Sequence, residues 1–276
     1  MDISKQKFID THSDFLTEAF RRGYSTHSLG HILFRAIEAN IFSKIKMQSP
    51  VLDLGCGEGF FSSLIFKRKE ISLGLDISFS YASIAVKRGI YRQMIIADAC
   101  NLPLSNDSFM TIFSNSVLEH IINVDALLKE AARVLRRGGK FIFTVPAKHY
   151  GENFWLSRLC RVLGFKKQEE LYIRRINRNL KHYNLLEPGE WGYRLRKAGL
   201  HLEGFRYYLP KDTEYEYSFL DFLGVGRFVV GNLVRKLHVP QRLAFSLFKK
   251  LLDRYYITNL DSNGGCLFLI AIKVGG

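Results

Sequence analysis

Short apolar runs alternate with amphipathic runs from residue 50 to residue 145, and this alternation restricts the fold more than any other feature. Helix-like runs at 58–68, 80–88 and 124–136 separate five strand-like runs. Such alternation predicts βαβ units, an α/β fold and a mostly parallel sheet. The strand-like runs are apolar on both faces, as a sheet covered by helices on each side requires. These runs are 51–55, 71–76, 94–97, 111–116 and 140–145.

Two stretches interrupt this alternation and divide the rest of the chain. Residues 147–190 include a basic stretch and predict a cap inserted over the sheet, and residues 212–262 form a second insertion. A helical pattern over 28–46 precedes the first strand, so residues 1–48 are interpreted as an N-terminal helical lid before a main domain at 49–276. The runs that resume the alternation are a helix near 189–198 and strands at 201–209 and 266–274.

The charge of the chain is positive and unevenly distributed. The formal net charge is +14; residues 145–276 carry 22 basic against 12 acidic side chains, and residues 1–144 carry 18 against 14. A basic surface attracts nucleic acid, anionic lipid head groups or acidic substrates. A soluble protein that is merely basic is an equal alternative. No RNA-binding motif is appended to the sequence, so a nucleic-acid partner is disfavoured.

The second insertion contains the most unusual pattern of the chain. Within 241–256, apolar residues form one helical stripe with Lys249, Lys250 and Arg254 beside it. We rank first a helix that packs this stripe on the sheet or in a homodimer interface. A basic amphipathic helix also suits a membrane surface. A peripheral membrane contact through 212–256 is therefore the sharper alternative.

Two further patterns bear on location and on metals. The N-terminal residues lack an apolar core of signal-peptide length, and no run of about 18 apolar residues exists to span a bilayer. A cytoplasmic location is therefore predicted. The four cysteines, at 56, 100, 160 and 266, include no pair with CxxC spacing. This spacing indicates neither a zinc site nor a disulfide framework, so we predict no metal.

A glycine-rich loop, VLDLGCGEGFF at residues 51–61, follows the first strand. Ligands of open parallel sheets bind beyond the carboxyl ends of the strands, and glycine lets the backbone approach them closely. A dinucleotide loop has the spacing GxGxxG, but Phe60 stands where its third glycine is expected. The flanking acids Asp53 and Glu58 disfavour a pyrophosphate and favour a cationic amine or sulfonium.

Acidic residues also end the next two strands. Asp76 follows the second strand, where a carboxylate can accept hydrogen bonds from both hydroxyls of a ribose. Asp98 follows the third strand, where it can accept from an exocyclic adenine amine. Each acid alone would be read as a helix or turn cap. Together with Asp53 and the glycine loop, they predict a nucleoside-binding site.

The segment 51–145 that carries these residues resembles the class I S-adenosylmethionine-dependent methyltransferases, particularly their small-molecule branch. VLDLGCGEG resembles the first motif of that family and GLDIS its second-strand motif. ADACNLPLSNDSFMTIFSNSVLEHI resembles the third- and fourth-strand motifs, and LLKEAARVLRRGGKFIFTVP the fifth. The resemblance implies a Rossmann-like, doubly wound sheet of seven strands, one of them antiparallel. It also implies S-adenosylmethionine as cofactor and S-adenosylhomocysteine as product.

The resemblance assigns roles to residues at the strand ends. Gly55 and Gly57 approach the methionine part of the cofactor, and Asp53 helps hold its amino group. Asp76 takes the ribose, and the residues at the ends of the second and third strands flank and read the adenine. Ser114 and Asn115 lie where the fourth strand opens toward the transferred methyl group. Cys56 is read as a small loop residue rather than a nucleophile. The cofactor residues implied in this way are Asp53, Gly55, Cys56, Gly57, Asp76, Ile77, Asp98, Ala99, Ser114 and Asn115.

The acceptor side is less defined by the sequence. A base is needed only for an acceptor that is protonated at working pH. His120 and His149 are the candidates, and for His120 a packing role is favoured. Tyr150, His182 and Tyr183 are candidates for substrate contact.

The predicted function is in-line methyl transfer to a small-molecule or lipid-like acceptor in a biosynthetic pathway. Two alternatives stay open. One is a scaffold or regulatory subunit that binds the cofactor without turnover, and the other is an NAD-dependent oxidoreductase.

Overall fold

The computed structural model describes residues 14–23, 27–222 and 263–274, together with six residues between 246 and 256. Most of the second insertion, including most of the predicted amphipathic helix, lies outside the described residues. Of that helix, Leu252 lies in the hydrophobic core and Lys249 pairs with Asp14 at 2.9 Å.

Seven strands form one sheet in the order β3-β2-β1-β4-β5-β7-β6. β7 pairs antiparallel with both β5 and β6, and the remaining pairs are parallel. The predicted α/β fold with a doubly wound, mostly parallel sheet is confirmed. The strand order reverses between β1 and β4, which is where open α/β sheets bind ligands. The strands are β1 Val51–Leu54, β2 Ile71–Asp76, β3 Tyr91–Ile96, β4 Phe109–Asn115, β5 Leu135–Pro146, β6 Leu200–Tyr208 and β7 Cys266–Lys273.

Helices cover both faces of this sheet. The alternation of β1 sends Val51 to one face and Leu52 and Leu54 to the other. The helices α2 and α3 pack on the first face, and α5 and α8 pack on the second. The described helices are α1 Phe15–Gly23, α2 Leu29–Ser43, α3 Phe60–Ile65, α4 Phe79–Arg88, α5 Val124–Val134, α6 Trp155–Val162, α7 Lys166–Asn179, α8 Pro188–Lys197 and α9 Lys211–Phe222.

One expectation about the strands is wrong for β3. The sequence predicted strands that are apolar and covered on both faces. β3 lies at the edge of the sheet, and Ile96, within the predicted run 94–97, is exposed. An edge strand has one neighbour only, so fewer of its side chains are covered.

The N-terminal segment that was interpreted as a lid supplies a core helix. Most of α2 is buried, because Ile32, Leu33 and Phe42 pack with the sheet. The helix begins at a capped end, where the Ser28 hydroxyl accepts a hydrogen bond from the His31 amide at 3.0 Å. Because most of α2 is buried, few of its side chains are partly exposed, and Arg35 is one of them.

The insertion at 147–190 forms α6 and α7 and then returns to the sheet. Its last segment docks on a single 3₁₀ turn, Leu118–His120, that follows β4. The Tyr183 amide donates to the Glu119 carbonyl at 2.7 Å, and the Asn184 side-chain amide donates to Leu118 O at 2.9 Å. The cap therefore meets the carboxyl end of β4. Within the described part of the chain, no helix combines the length and apolar character that crossing a bilayer requires.

Candidate functional site

The glycine loop turns sharply after β1 and leaves an open cradle. Gly55 and Gly57 have φ values of +78° and +54°, in the left-handed region that glycine tolerates best. A Cβ on Gly55 would lie 2.7 Å from Val117, so this glycine lets the turn after β4 pack on the loop. A Cβ on Gly57 would meet no atom within 4 Å. The backbone at Gly57 is therefore open to a ligand.

Asp76 connects this loop to the end of β2. Its Oδ2 accepts a hydrogen bond from the Gly57 amide at 2.7 Å, and its Oδ1 accepts from the Ser78 amide at 2.8 Å. A carboxylate has about four lone-pair sites, so both oxygens retain capacity for further donors. Asp76 thus fixes the loop and can also accept from ligand hydroxyls.

Asp53 lies behind the loop in the core, with 2% of its surface exposed. Its Oδ2 accepts from the Ser62 hydroxyl at 2.5 Å and from the Tyr91 hydroxyl at 2.7 Å. Burial raises the pKa of Asp53 to about 7; these two hydrogen bonds oppose the rise, and the charge of Asp76 adds to it. The carboxylate is therefore held by protein donors, and a cationic group near it would lower its pKa again.

The other flanking acid of the loop is already paired. Glu58 lies 3.0 Å from His27 Nε2 and 3.6 Å from Arg88 Nη2. The negative charge that faces the cradle comes therefore from Asp76 and, when it is ionised, from Asp53. Burial raises the pKa of the Cys56 thiol, and both aspartates raise it further. A protonated thiol agrees with the interpretation of Cys56 as a small loop residue.

An apolar and acidic surface continues the cradle along the ends of β2 and β3. Ile77 is 70% exposed, although its side chain is fully apolar. Asp98 is exposed, and its Oδ1 accepts from the Cys100 amide at 2.8 Å. Ala99 beside it is buried. An apolar surface next to a carboxylate acceptor fits the face and the amine edge of an adenine.

The two residues expected beside the transferred methyl group point in different directions. Ser114 is fully buried, and its hydroxyl donates to Leu54 O at 2.7 Å, so it joins β4 to β1. Asn115 is partly exposed; its Nδ2 donates to Glu38 at 3.0 Å, and its Oδ1 accepts from Thr144 at 2.7 Å. Adjacent strand residues face opposite sides of a sheet, and the side chain of Ser114 supports the strand.

Sequence reasoning missed a charged network that α2 brings to the end of β4. Glu38 is fully buried, and its carboxylate accepts from Arg35 at 2.6 Å and from Tyr208 at 2.7 Å. Arg35 also donates to the Ser116 hydroxyl at 3.1 Å. The signal was available in the sequence, since Arg35 and Glu38 are the charged residues of a largely apolar helical run.

A second polar group joins the same strand end to the cap. The rings of His120 and His182 lie 5.3 Å apart, and the Tyr150 ring lies 5.5 Å from His182. Beside them lies Glu119, which is 1% exposed and has one carboxylate oxygen, Oε2, without a hydrogen-bond partner. Burial raises the pKa of Glu119 to about 8. Sequence reasoning singled out both histidines and Tyr150 but gave Glu119 no role.

The remaining two candidates lie apart from this group. His149 donates from Nε2 to Gly264 O at 2.9 Å, and its ring lies 5.7 Å from Tyr207 of β6. Tyr183 is exposed, and its backbone amide holds the cap to the 3₁₀ turn. The structure thus assembles His120, Tyr150 and His182.

Comparison with known proteins gives one family and a consistent fold. Residues 52–143 match the family model described as a methyltransferase domain. A crystal structure described as a SAM-dependent methyltransferase, possible histamine N-methyltransferase, from Thermotoga maritima has a TM-score of 0.56 and 20% identity. That similarity covers 94% of this chain and 99% of the other, and it concerns the fold.

The curated relatives match about half of the chain. An uncharacterised protein of Methanocaldococcus jannaschii is 42% identical over 126 residues, which is 44% of this chain and 58% of that protein. A malonyl-[acyl-carrier protein] O-methyltransferase of Hamiltonella defensa is 30% identical over 149 residues, which is 52% of this chain and 57% of that protein. The chain therefore spans a little over half the length of these relatives.

Proposed function

From the match of residues 52–143 to a methyltransferase domain, we propose that the protein is a class I S-adenosylmethionine-dependent methyltransferase that methylates a small-molecule acceptor. The observation that carries the proposal is the cradle over Gly57, with Asp76 fixed beneath it by the Gly57 amide at 2.7 Å. An open backbone next to a carboxylate acceptor suits a nucleoside that carries an amino-acid tail.

The residues around the cradle fit each part of that cofactor. Asp76 offers lone pairs to the ribose hydroxyls, and Asp98 offers a carboxylate oxygen to the adenine amine. The exposed side chain of Ile77 covers the adenine face. Asp53, behind the loop, stabilises the cationic amine of the tail through its negative charge. When bound, S-adenosylmethionine supplies a methyl group that is already activated by its sulfonium.

The chain must then position the acceptor and exclude water. The carboxyl ends of β4 and β5 provide the place, because the cap brings Tyr150 and His182 against His120 there. Arg35 adds a cationic group from α2 next to Ser116. We infer that these polar groups bind an oxygen- or nitrogen-bearing acceptor of biosynthesis, either a small metabolite or a lipid-like molecule. The related protein named malonyl-[acyl-carrier protein] O-methyltransferase supports a small acylated acceptor.

Isothermal calorimetry with S-adenosylmethionine and S-adenosylhomocysteine tests the cofactor site. We expect Asp76→Ala to weaken binding of both by at least roughly tenfold, since it removes hydrogen bonds to a charged acceptor. The matched control is Asp125→Ala, whose carboxylate pairs with Arg194 on the outer helices at 2.8 Å. Heat from neither ligand with the parent protein would refute the proposal.

Turnover is tested separately from binding. The protein is incubated with S-adenosylmethionine and fractionated metabolite and lipid extracts, and mass spectrometry follows S-adenosylhomocysteine and products that have gained one methylene. Formation of both supports the proposed enzyme and identifies the acceptor fraction. Tight cofactor binding without either product would favour the alternative of a cofactor-binding scaffold.

A further inference from the structure

Glu119, His120 and His182 bring one carboxylate and two imidazoles together at the carboxyl end of β4. One ligand atom from each residue lies within 4.8 Å of the other two. Glu119 and His120 belong to the 3₁₀ turn after β4, whereas His182 belongs to the segment after α7. The cluster therefore forms only when the cap docks on the sheet.

Hydrogen bonds fix the tautomers of both imidazoles. His120 Nδ1 lies 3.3 Å from Lys181 O, and His182 Nδ1 lies 2.9 Å from the side-chain oxygen of Asn177. The orientation of that amide follows from its Nδ2, which donates to Ile173 O at 3.1 Å. Carbonyl oxygens only accept, so each Nδ1 carries the proton and each Nε2 keeps its lone pair. Histidines that bind metals are oriented in this way by their other ring nitrogen.

Glu119 supplies the second observation. Its carboxylate is buried, and Oε2 has no hydrogen-bond partner. Its Oε1 lies 3.7 Å from His120 Nε2. Burying a carboxylate oxygen without a hydrogen-bond partner costs free energy. A bound ligand would supply the partner that no protein donor provides.

We propose that Glu119, His120 and His182 bind a divalent transition-metal ion through one carboxylate oxygen and the two Nε2 atoms. Two histidines and one carboxylate are ligands that suit Zn²⁺ and Fe²⁺. In a tetrahedral zinc site the ligand atoms lie about 3.3 Å apart, so the three ligand atoms, now within 4.8 Å of one another, move closer together when the ion binds. Cysteine spacing, on which the expectation of no metal rested, has no bearing on a site without cysteine.

Three protein ligands leave a coordination position open, as in catalytic rather than structural zinc sites. That position adjoins the cofactor loop, because Val117 of the same turn packs against Gly55. An oxygen-bearing acceptor can occupy it. This last step rests on the proposed methyl transfer, whereas metal binding itself does not.

Metal binding is measured directly on the full chain. The protein is stripped with a chelator, dialysed against micromolar Zn²⁺ and analysed for zinc by mass spectrometry, and Co²⁺ absorption reports the coordination. We expect one tightly bound ion per chain, and a loss of affinity of roughly 100-fold or more in His182→Gln and Glu119→Gln. Asn177→Ala, which frees the ring of His182, should lose roughly 10- to 100-fold.

The matched control is His149→Ala, because His149 is also partly buried but donates to Gly264 O. It should retain the parent affinity. Far-UV circular dichroism and thermal unfolding without metal show that each variant is folded. Less than a tenth of an equivalent of zinc in the parent, or parent affinity in a folded His182→Gln, would overturn the metal site. Neither result would affect the cofactor calorimetry, so the two proposals fail separately.

Discussion

Replacing Asp53 by Asn should stabilise the folded protein at alkaline pH. Asp53 is buried between Ser62 and Tyr91, and its pKa is raised from 3.8 to about 7. The asparagine removes the charge but keeps one oxygen that can accept from both hydroxyls. The variant therefore isolates the cost of ionising a buried carboxyl group.

The direction of this pH dependence follows from the raised pKa of Asp53. The folded state holds the proton more tightly than the unfolded state does, so the stabilising contribution of the protonated carboxyl is fully present below pH 3.8. It is lost as the pH rises to 7. A shift of about three pKa units corresponds to a free-energy cost on the order of 4 kcal/mol above pH 7. Asp53→Asn should recover up to that amount at pH 8 and little at pH 4.

Urea unfolding of both proteins between pH 4 and pH 8.5 measures this difference. The free energy of unfolding of the variant, minus that of the parent, should rise across the interval and level off above pH 7. Asp125→Asn is the control, since that side chain is 54% exposed and its replacement should change stability little at any pH. A difference for Asp53→Asn that is constant with pH would refute the reasoning, because the carboxyl would then titrate alike in both states.

Two further predictions concern the loop and the α2 network. Gly57→Ala should weaken cofactor binding at least roughly tenfold and lower the free energy of unfolding by about 1–2 kcal/mol. The control is Gly138→Ala, because Gly138 has a φ of +72° and a Cβ there would also meet no atom within 4 Å. It should cost the same stability and leave the affinity measured by calorimetry unchanged. Glu38→Ala should lower the free energy of unfolding in urea by roughly 3–5 kcal/mol, because it leaves Arg35 buried and unpaired. Glu170→Ala, which breaks an exposed pair, should cost less than about 1 kcal/mol; equal losses in both glutamate variants would contradict this.

The residues predicted to bind the cofactor lie along one edge of the sheet, for a geometric reason. Parallel strands in register bring their carboxyl ends to one edge, and residues that end successive strands therefore meet. Asp76 pairs with Ile96 across β2 and β3, and Asp53 pairs with Gly74 across β1 and β2. The sequence needed only strand ends and a glycine loop to predict this edge.

Local sequence patterns did not predict contacts that depend on the direction of a side chain or on segments far apart in the sequence. Ser114 and Asn115 were both placed beside the methyl group, although the two-residue period of a strand sends neighbours to opposite faces. Arg35 meets Ser116 only after α2 packs on the sheet. His182 meets His120 only through a docked insertion. No periodicity within a segment encodes such contacts.

Two buried glutamates near the end of β4 show how structure separates a supporting carboxylate from a functional one. Glu38 accepts hydrogen bonds from Arg35, Tyr208 and two side chains of β4 and its following turn, so every donor needed to offset its burial is present. Glu119 is equally buried, yet its Oε2 accepts none. A purely structural carboxylate would be expected to have partners like those of Glu38, because an unpaired buried oxygen destabilises the fold. The proposed metal ion would satisfy this oxygen of Glu119, and the imidazoles of His120 and His182 beside it complete the proposed ligand set.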